Sequence, residues 1–227
     1  MIKIDHRKNY YVIIDTETCP IDSTVQKVDP KNMLVYDVGI AIIDKQGDVL
    51  TARSYVVNEI FYDDNYMNNA YYADKLSQYY EEIEDGLRIV KSMQRLQEEI
   101  SHIVTRPYIK GVVAHNAIFD LLSLNNTWQY LTGKKYFFPY GTVFYDTLKM
   151  ARQAYCGKAY KNWCNNNGYL TKNNQPRYTA EILYRYISGI DDFAEAHIGI
   201  EDVMIEKEIF AECMKKHISM KKELFNT

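Results

Sequence analysis

Three β-type segments follow one another near the start of this chain, and their succession constrains the fold more than any other feature. Apolar and β-branched residues dominate Tyr10–Asp15, Met33–Asp44 and Val49–Val57. Lys45-Gln46-Gly47 separates the second segment from the third, as the turn of a β-hairpin would. The first segment is apolar at successive positions, which is typical of a strand buried on both faces. The pattern therefore predicts a three-stranded meander with a buried first strand.

Beyond the meander, the pattern alternates between helix and strand. Apolar residues at three- and four-residue steps predict one long helix from Leu76 to Val104, and the polar segment Asn58–Ala73 before it resembles an irregular loop. Two more strands are predicted at Lys110–His115 and Thr142–Tyr145. Four more helices are predicted at Asp120–Tyr130, Thr147–Tyr155, Thr179–Tyr186 and Gly199–Lys216. We therefore expect an α/β fold with a mixed five-stranded sheet flanked by helices.

Composition and charge exclude several classes of protein. The 227 residues are 47% apolar, with no internal repeat or low-complexity linker, so we expect one domain spanning 1–227. A net charge of −3 argues against a protein that coats nucleic acid, but not against a small local site. We expect no membrane span and no secretory signal, because no apolar run is long enough and MIKIDHRKNYY lacks an apolar core. Four cysteines without metal-type spacing favour reduced thiols and a cytoplasmic protein.

Two acids at the end of the first strand are the first candidates for chemistry. Asp15 and Glu17 are two residues apart, so their carboxylates project from the same face of a strand. Carboxylates that are so close repel each other unless a cation lies between them, and oxygen ligands favour Mg²⁺ or Mn²⁺. The pair indicates a metal site, although the same spacing also occurs at ordinary strand ends.

Two further motifs follow later in the chain. His115–Asp120 (HNAIFD) spans a strand-to-helix transition. Asp120 could carry chemistry here or could be an ordinary acid at a helix N-terminus, and Asn116 could be a residue that shapes the loop. His197–Asp202 (HIGIED) places a histidine before the last helix and an acid in its first turn. An unperturbed histidine has a pKa of about 6.5 and can act as a base at neutral pH, although a lone histidine also fits a surface or core position.

In order and spacing, the three motifs together resemble those of the DEDDh family of 3′→5′ exonucleases, which belongs to the RNase H-like superfamily. The residues that carry the match are Asp15, Glu17, Asp120, His197 and Asp202. The resemblance runs from about Tyr10 to Phe210. Tyr36–Ala41 is similar to the second strand of the family, and Tyr145–Leu148 to its short strand and following helix start. The resemblance therefore implies an RNase H-like fold.

The chain departs from the family at two places. Cys19-Pro20 follows Glu17-Thr18 where the family often has Thr or Ser and then Gly, and Pro20 removes a backbone donor from this segment. Gly199 stands two residues after the motif histidine, where the family often has Ala. Neither change removes a candidate ligand, so the departures bear on substrate preference more than on chemistry.

The resemblance also implies a reaction and roles for particular residues. Members of the family remove nucleotides one at a time from a free 3′ end with the help of two divalent ions. Asp15, Glu17, Asp120 and Asp202 would hold two Mg²⁺ (or Mn²⁺) ions, and His197 would act as the base that takes a proton from the attacking water. Residues beside these motifs would contact the substrate: Thr16, Thr18, Asn116 and Phe119.

Several alternatives stay open at the level of sequence. The Asp146-Thr147-Leu148 segment and the motif spacing favour single-stranded DNA, with an exoribonuclease or oligoribonuclease as the alternative. An inert nucleic-acid or polymerase-binding module and a phosphatase acting on small phosphates are further hypotheses. No polymerase or helicase pattern is present, so a role in replication or repair would require a polymerase or similar partner. Among other residues, Asp146 fits a helix N-cap and Glu206 a solvated or supporting acid. Tyr72 and its neighbouring tyrosines fit either base stacking or packing against the long helix.

Overall fold

A mixed sheet of six strands forms the centre of the protein, seen in a computed structural model that describes residue 5 and residues 7–22 and 28–223. The strands are β1 (Tyr10–Pro20), β2 (Met33–Asp44), β3 (Val49–Val57), β4 (Arg88–Lys91), β5 (Ile109–Ala114) and β6 (Phe144–Asp146). Their order across the sheet is β4-β3-β2-β1-β5-β6. The first three form the antiparallel meander that the sequence predicts, and the other three join by parallel pairing. The α/β class is confirmed, but with six strands in place of five.

Helices occupy most of the remaining described chain. They are α1 (Asn58–Phe61), α2 (Asp64–Met67), α3 (Leu76–Glu84), α4 (Met93–Val104), α5 (Ile118–Thr132), α6 (Thr147–Ala154), α7 (Lys158–Asn166), α8 (Ala180–Ser188) and α9 (Gly199–Lys215). The segment predicted as an irregular loop therefore contains two short helices, and a 3₁₀ turn at Ala73–Lys75 follows them. Asp63 caps α2 by accepting from the Asn65 N–H, and the apolar residues of both helices are buried against the sheet.

Strand β4 lies inside the segment for which apolar periodicity predicts one long helix, and that prediction is wrong. Gly86 adopts a φ of 71°, a left-handed conformation that ends α3. Arg88–Lys91 then pairs in parallel with Ser54–Val57 of β3, and α4 begins only after Ser92, which caps it. Pairing with a strand distant in sequence outweighs local periodicity here, and it supplies the sixth strand.

The helices cover both faces of the sheet in two layers. Val12 and Ile14 of β1 belong to the hydrophobic cluster beneath α1 to α5, whereas Tyr11 and Ile13 belong to the cluster beneath α6 to α9. β1 is therefore buried on both faces, as its continuous apolar pattern predicts.

The unequal lengths of β1 and β5 create the place where the candidate site lies. β5 pairs with β1 only as far as Ile13 and ends at Ala114, whereas β1 continues beside β2 to Pro20. The edge of β1 that carries Asp15 and Glu17 therefore extends beyond its neighbour, and both α5 and α9 contact β1. The two acids lie within β1 rather than at its end.

Two smaller predictions concern location and redox state. Among the helices of the described residues, none is long and apolar enough to cross a lipid bilayer. None of the four cysteines forms a disulfide, and only Cys156 is exposed. Part of the N-terminal segment in which we expect no secretory signal lies outside the described residues.

Candidate active site

Glu17, His197 and Asp202 come together into a group that could hold a metal ion. One ligand atom from each lies within 4.8 Å of the ligand atoms of the other two. Glu17 comes from β1, His197 from the loop before α9, and Asp202 from the first turn of α9. Motifs from opposite ends of the chain therefore meet at one point.

The other two motif acids lie beside this group. Asp15 is on the same face of β1 as Glu17. Burial and then the neighbouring carboxyls raise the pKa of Asp15; these carboxyls are Glu206, Asp120, Glu17 and Asp202. Asp120, in the first turn of α5, accepts a hydrogen bond of 2.9 Å from Thr16 Oγ1. The structure thus gathers all five residues that carry the family resemblance into one acidic centre.

Burial makes the carboxyls of this centre hold their protons tightly. It raises the pKa of Glu17 to about 9, with Asp202 as the next contributor. It raises the pKa of Asp202 to about 8 and that of Asp120 to about 7. Without cations, part of the centre is therefore protonated at neutral pH. A bound divalent cation would favour the charged forms instead.

The donor set fits a hard divalent cation. Asp202 Oδ1 and Glu206 Oε2 are buried and have no hydrogen-bond partner among the described residues. A buried carboxyl oxygen without a partner is costly, and carboxylate oxygens are the ligands that Mg²⁺ and Mn²⁺ prefer. The centre therefore has both the chemistry and the unsatisfied oxygens that such cations require.

Glu206 is a member of the centre that the sequence motifs do not identify. A solvated side chain is one of its two predicted roles, and that role is wrong, because the residue is only 3% exposed. Its Oε1 accepts from the His115 backbone N–H at 3.1 Å, and its carboxyl faces those of Asp15 and Asp120. The sequence feature that could have identified Glu206 is its four-residue spacing from Asp202, which places both acids on one face of α9.

His197 is held in an unusual position by residues from outside its own motif. Its φ of 51° lies in the left-handed region. The Tyr72 ring stacks on the imidazole, with centroids 4.5 Å apart and planes at 10°. The Lys75 ammonium contacts the Ala196 carbonyl oxygen and lies 4.8 Å from the Tyr72 centroid. Burial and then the Lys75 charge lower the pKa of His197, which favours the neutral imidazole that can accept a proton.

The backbone that follows His197 is anchored to β2. The Gly199 N–H donates to Asp37 Oδ2 at 3.1 Å, and Asp37 also accepts from Arg88 and from the Tyr79 hydroxyl, both at 2.7 Å. The side chains of Asp37 and Arg88 are fully buried. A Cβ atom on Gly199 would lie 2.7 Å from the backbone nitrogen of Gly39. The start of α9 thus approaches β2 more closely than a residue with a Cβ atom would allow. This accounts for Gly199 at the position where the family that the motifs resemble often has alanine.

The remaining residues of the second motif shape the loop between β5 and α5. His115 Nε2 donates to the Tyr178 carbonyl at 2.7 Å, and its Nδ1 lies 3.0 Å from Thr147 Oγ1. Asn116 has a φ of 64°, an exposed side chain and an N–H that donates to Asp146 Oδ1 at 3.1 Å. Asp146 also caps α6 through the Leu148 and Lys149 N–H groups, as predicted.

The other predicted substrate contacts lie close to the acids. Thr16 and Thr18 are buried in β1, and the hydroxyl of Thr16 is already used by Asp120. Phe119 is half-buried at the start of α5, beside Asp120. Their contacts with substrate stay predictions.

A cavity of about 650 Å³ opens beside the acidic centre. Its lining includes the acids Asp15, Glu206 and Glu195 together with Arg152, Arg177 and Tyr178. A larger cavity of about 800 Å³ lies between α4 and the sheet, contains none of the motif acids, and is lined by residues such as Arg53 and Glu99 that pair with each other.

Comparisons with known proteins find similarity in structure and not in sequence. No family model and no curated protein matches the sequence. The nuclease domain of 3′hExo, a DEDDh family member bound to rAMP, is 11% identical with a TM-score of 0.64, over 97% of this chain and 98% of that one. A 3′-exonuclease that recognises a histone mRNA stem-loop is 10% identical with a TM-score of 0.64, over 95% and 66% of the two chains.

Escherichia coli exonuclease I bound to a dT13 oligonucleotide is 13% identical with a TM-score of 0.56. The match covers 92% of this chain and 41% of that one, so this chain spans about two fifths of that protein. At such identities the likeness concerns the fold. The chain shares its α/β fold with these 3′ exonucleases, one of which is a DEDDh family member, and this confirms the fold expected from the motifs.

Proposed function

We propose that residues 1–227 form one metal-dependent 3′→5′ exonuclease domain, which hydrolyses phosphodiester bonds from the 3′ end of single-stranded nucleic acid. The observation that carries the proposal is the convergence of Glu17, His197 and Asp202 with Asp15 and Asp120 around one point. This convergence occurs in a fold that is shared with known 3′ exonucleases.

Each residue of the centre has a role in this proposal. Asp15, Glu17, Asp120 and Asp202 would hold the cations through their carboxyl oxygens. Two divalent cations, when bound there, would promote ionisation of the attacking water and offset the negative charge of the phosphate. His197 accepts the proton of the water, because its lowered pKa keeps the imidazole neutral at pH 7. Thr16, Thr18, Asn116 and Phe119 contact the strand near its 3′ end.

The proposed strand is DNA, on the strength of the Asp146-Thr147-Leu148 segment and the spacing of the motifs. The similar structures include one bound to rAMP and one bound to dT13, so both sugars belong in the test. A polymerase or other replication or repair protein as partner stays a prediction.

The test is a gel assay on 5′-labelled single strands of DNA and RNA, with Mg²⁺, Mn²⁺ or EDTA. We expect a ladder that shortens from the 3′ end only when metal is present. Asp15→Asn should lower the rate at least about a hundredfold, because it removes a charged oxygen from the centre of the acids. Asp48→Asn, which changes an exposed acid in the β2–β3 turn in the same way, is the matched control.

Each other outcome favours a different hypothesis. Full activity in Asp15→Asn would contradict the assignment of the centre. Hydrolysis of mononucleotides but not of strands would favour a phosphatase. No hydrolysis at all, with metal still raising the melting temperature, would favour an inert binding module.

A further inference from the structure

The acidic centre has two sides that differ in chemistry. Glu17 and His197, with Tyr72 stacked on the imidazole, form one side. The cavity of about 650 Å³ forms the other, where Asp15 and Glu206 line it. Neither Glu17 nor His197 is among the residues that line this cavity. Water and leaving group therefore have distinct places to occupy.

The direction of hydrolysis assigns these places. The bond from phosphorus to the water oxygen forms as the bond from phosphorus to the leaving 3′ oxygen breaks, and the two oxygens lie roughly in line on opposite sides of phosphorus. His197 takes the water proton, so the water is on the histidine side. The leaving 3′ oxygen, which solvent protonates, then departs toward the cavity. In a 3′→5′ exonuclease this oxygen belongs to the nucleotide that stays on the strand.

Two arginines in the lining of the cavity suit a polyanion, and they share this lining with the carboxyl of Glu195. Arg152 and Arg177 are exposed, and across the described chain neither guanidinium forms an ion pair or a side-chain hydrogen bond. Lys149, one turn before Arg152 on α6, is by contrast paired with Glu223 and Asp146. Free guanidinium groups are well suited to phosphate oxygens, which they can bind with two parallel hydrogen bonds.

Tyr178, which also lines the cavity, is attached to the loop between β5 and α5. The Tyr178 carbonyl accepts from His115 Nε2 at 2.7 Å, and the Tyr178 hydroxyl donates to the Tyr155 carbonyl at 3.2 Å. The Tyr178 ring is half-buried and packs at 5.1 Å from the ring of Tyr160. A tyrosine held in this way offers a base a ring edge or face at a set distance from the acids.

We propose that this cavity binds the nucleotide immediately upstream of the scissile phosphate, with Arg152 and Arg177 on the phosphate at the 5′ side of that nucleotide. The inference rests on the proposed function and adds to it a subsite and the residues that select a strand over a small ester. A volume of about 650 Å³ is within the range of pockets that enclose small ligands.

The first test compares the hydrolysis of two substrates by the protein in the presence of Mg²⁺. One is a single-stranded oligonucleotide, and the other is thymidine 5′-(p-nitrophenyl phosphate), whose leaving group replaces the upstream nucleotide. The variant carries Arg152→Ala and Arg177→Ala. We expect the ratio of kcat/KM for the strand to kcat/KM for the ester to fall at least about tenfold, mainly through KM for the strand.

The matched control carries Arg95→Ala and Arg106→Ala, which removes the same charge from exposed arginines at the cavity between α4 and the sheet. A fall of the ratio in the control as large as in the test variant would overturn the inference, because only the net charge would then matter. Restoration of part of the ratio by Arg152→Lys and Arg177→Lys would support it, because a cation would be retained.

The second test locates the phosphate. A strand with a neutral methylphosphonate on the 5′ side of the penultimate nucleotide should lose at least about tenfold in kcat/KM with the wild type, and little more with the alanine variant. Equal losses in both proteins would overturn the contact. A wild type that hydrolyses neither strand nor ester contradicts the proposed function itself. If the wild type hydrolyses both substrates and the alanine variant has the same ratio of kcat/KM values, only the proposed subsite is overturned.

Discussion

A carboxyl belongs to the acidic centre when its oxygens are withdrawn from water and lie beside other carboxyls. Glu206 meets this condition, because it is 3% exposed and one of its oxygens has no hydrogen-bond partner in the described part of the chain. Asp146 is equally buried at the end of β6, but the N–H groups of Asn116, Leu148 and Lys149 occupy its Oδ1. The sequence indicates a helix N-cap for Asp146 and a solvated or supporting acid for Glu206, and their hydrogen bonds show which of the two belongs to the centre.

His197→Asn tests the proposed base. Asparagine tolerates the left-handed backbone of this position but cannot take the proton, so kcat should fall by about 10²–10⁴. The wild-type rate should also fall as the pH drops through the lowered pKa of His197, and the variant should lose this dependence. Single-turnover rates between pH 5 and 8 measure both effects. Mg²⁺ should still raise the melting temperature of the variant, because the four acids remain.

His102→Asn, a change at an exposed histidine on α4, is the control for general effects. The same pH–rate profile in His197→Asn as in the wild type would mean that another group accepts the proton.

At the scale of elements, the first turn of α9 is positioned by β4, the strand that apolar periodicity predicts to be helical. Arg88 of β4 is fully buried and binds Asp37 of β2, and Asp37 in turn binds the N–H of Gly199. Such a buried pair is costly to break, because removing either partner leaves an unpaired charge. The edge of the sheet is thereby connected to the loop that carries His197.

Gly199→Ala tests the close approach of α9 to β2. The added Cβ would lie 2.7 Å from the backbone nitrogen of Gly39, which cannot move aside as a side chain would. We expect the free energy of unfolding to fall by about 1–3 kcal/mol and kcat to fall with it, because α9 carries both Asp202 and the end of the His197 loop. Thermal or urea unfolding and the strand assay measure the two effects.

Gly157→Ala is the matched control, since a Cβ there meets nothing within 4 Å. Equal stability of the two alanine variants would show that α9 can shift without cost and would contradict the packing argument.

At the scale of the whole molecule, the three-layer core supports a centre that is unfavourable without metal. Carboxyls from β1, α5 and α9 converge where the two helices meet the extended edge of β1. Their mutual repulsion and burial oppose folding once they ionise. The hydrophobic clusters on both faces of the sheet must offset this cost, and bound cations would remove much of it.

The stability of the metal-free protein should therefore depend on pH. Glu17, Asp202 and Asp120 have pKa values of about 9, 8 and 7 in the folded protein, whereas unfolded carboxyls titrate near pH 4. Between these values the folded state binds more protons than the unfolded state, so the free energy of unfolding falls as pH rises from about 4 to about 9. Melting temperatures in EDTA at several pH values measure this fall.

Millimolar Mg²⁺ should raise the melting temperature most at the alkaline end of this range, because ionised carboxylates bind the cation. Asp15→Asn should show a smaller rise. A melting temperature that is the same with EDTA and with Mg²⁺ at every pH would argue against a cation site in the folded protein.

Local patterns in the sequence were sufficient for much of the fold. The meander, the buried first strand and α9 follow from periodicity, which reports how each segment divides its residues between core and solvent. Five motif residues could be assigned to one centre by resemblance alone. The N-cap role of Asp146 also follows, because a cap acts within four residues of itself.

The sequence by itself determined the α/β class, the three-stranded meander, the last helix and the acids of the three motifs, since each depends on residue type and short spacing. Only the tertiary structure decided that Arg88–Lys91 is a strand, that Glu206 faces the acids, and that Tyr72 stacks on His197. It also brought Arg152 and Arg177, which form no ion pair with the described residues, into the lining of a cavity beside the centre. The physical reason is common to all of these. Each is a contact between residues far apart in the chain, and local sequence propensity does not indicate which residue the distant partner is.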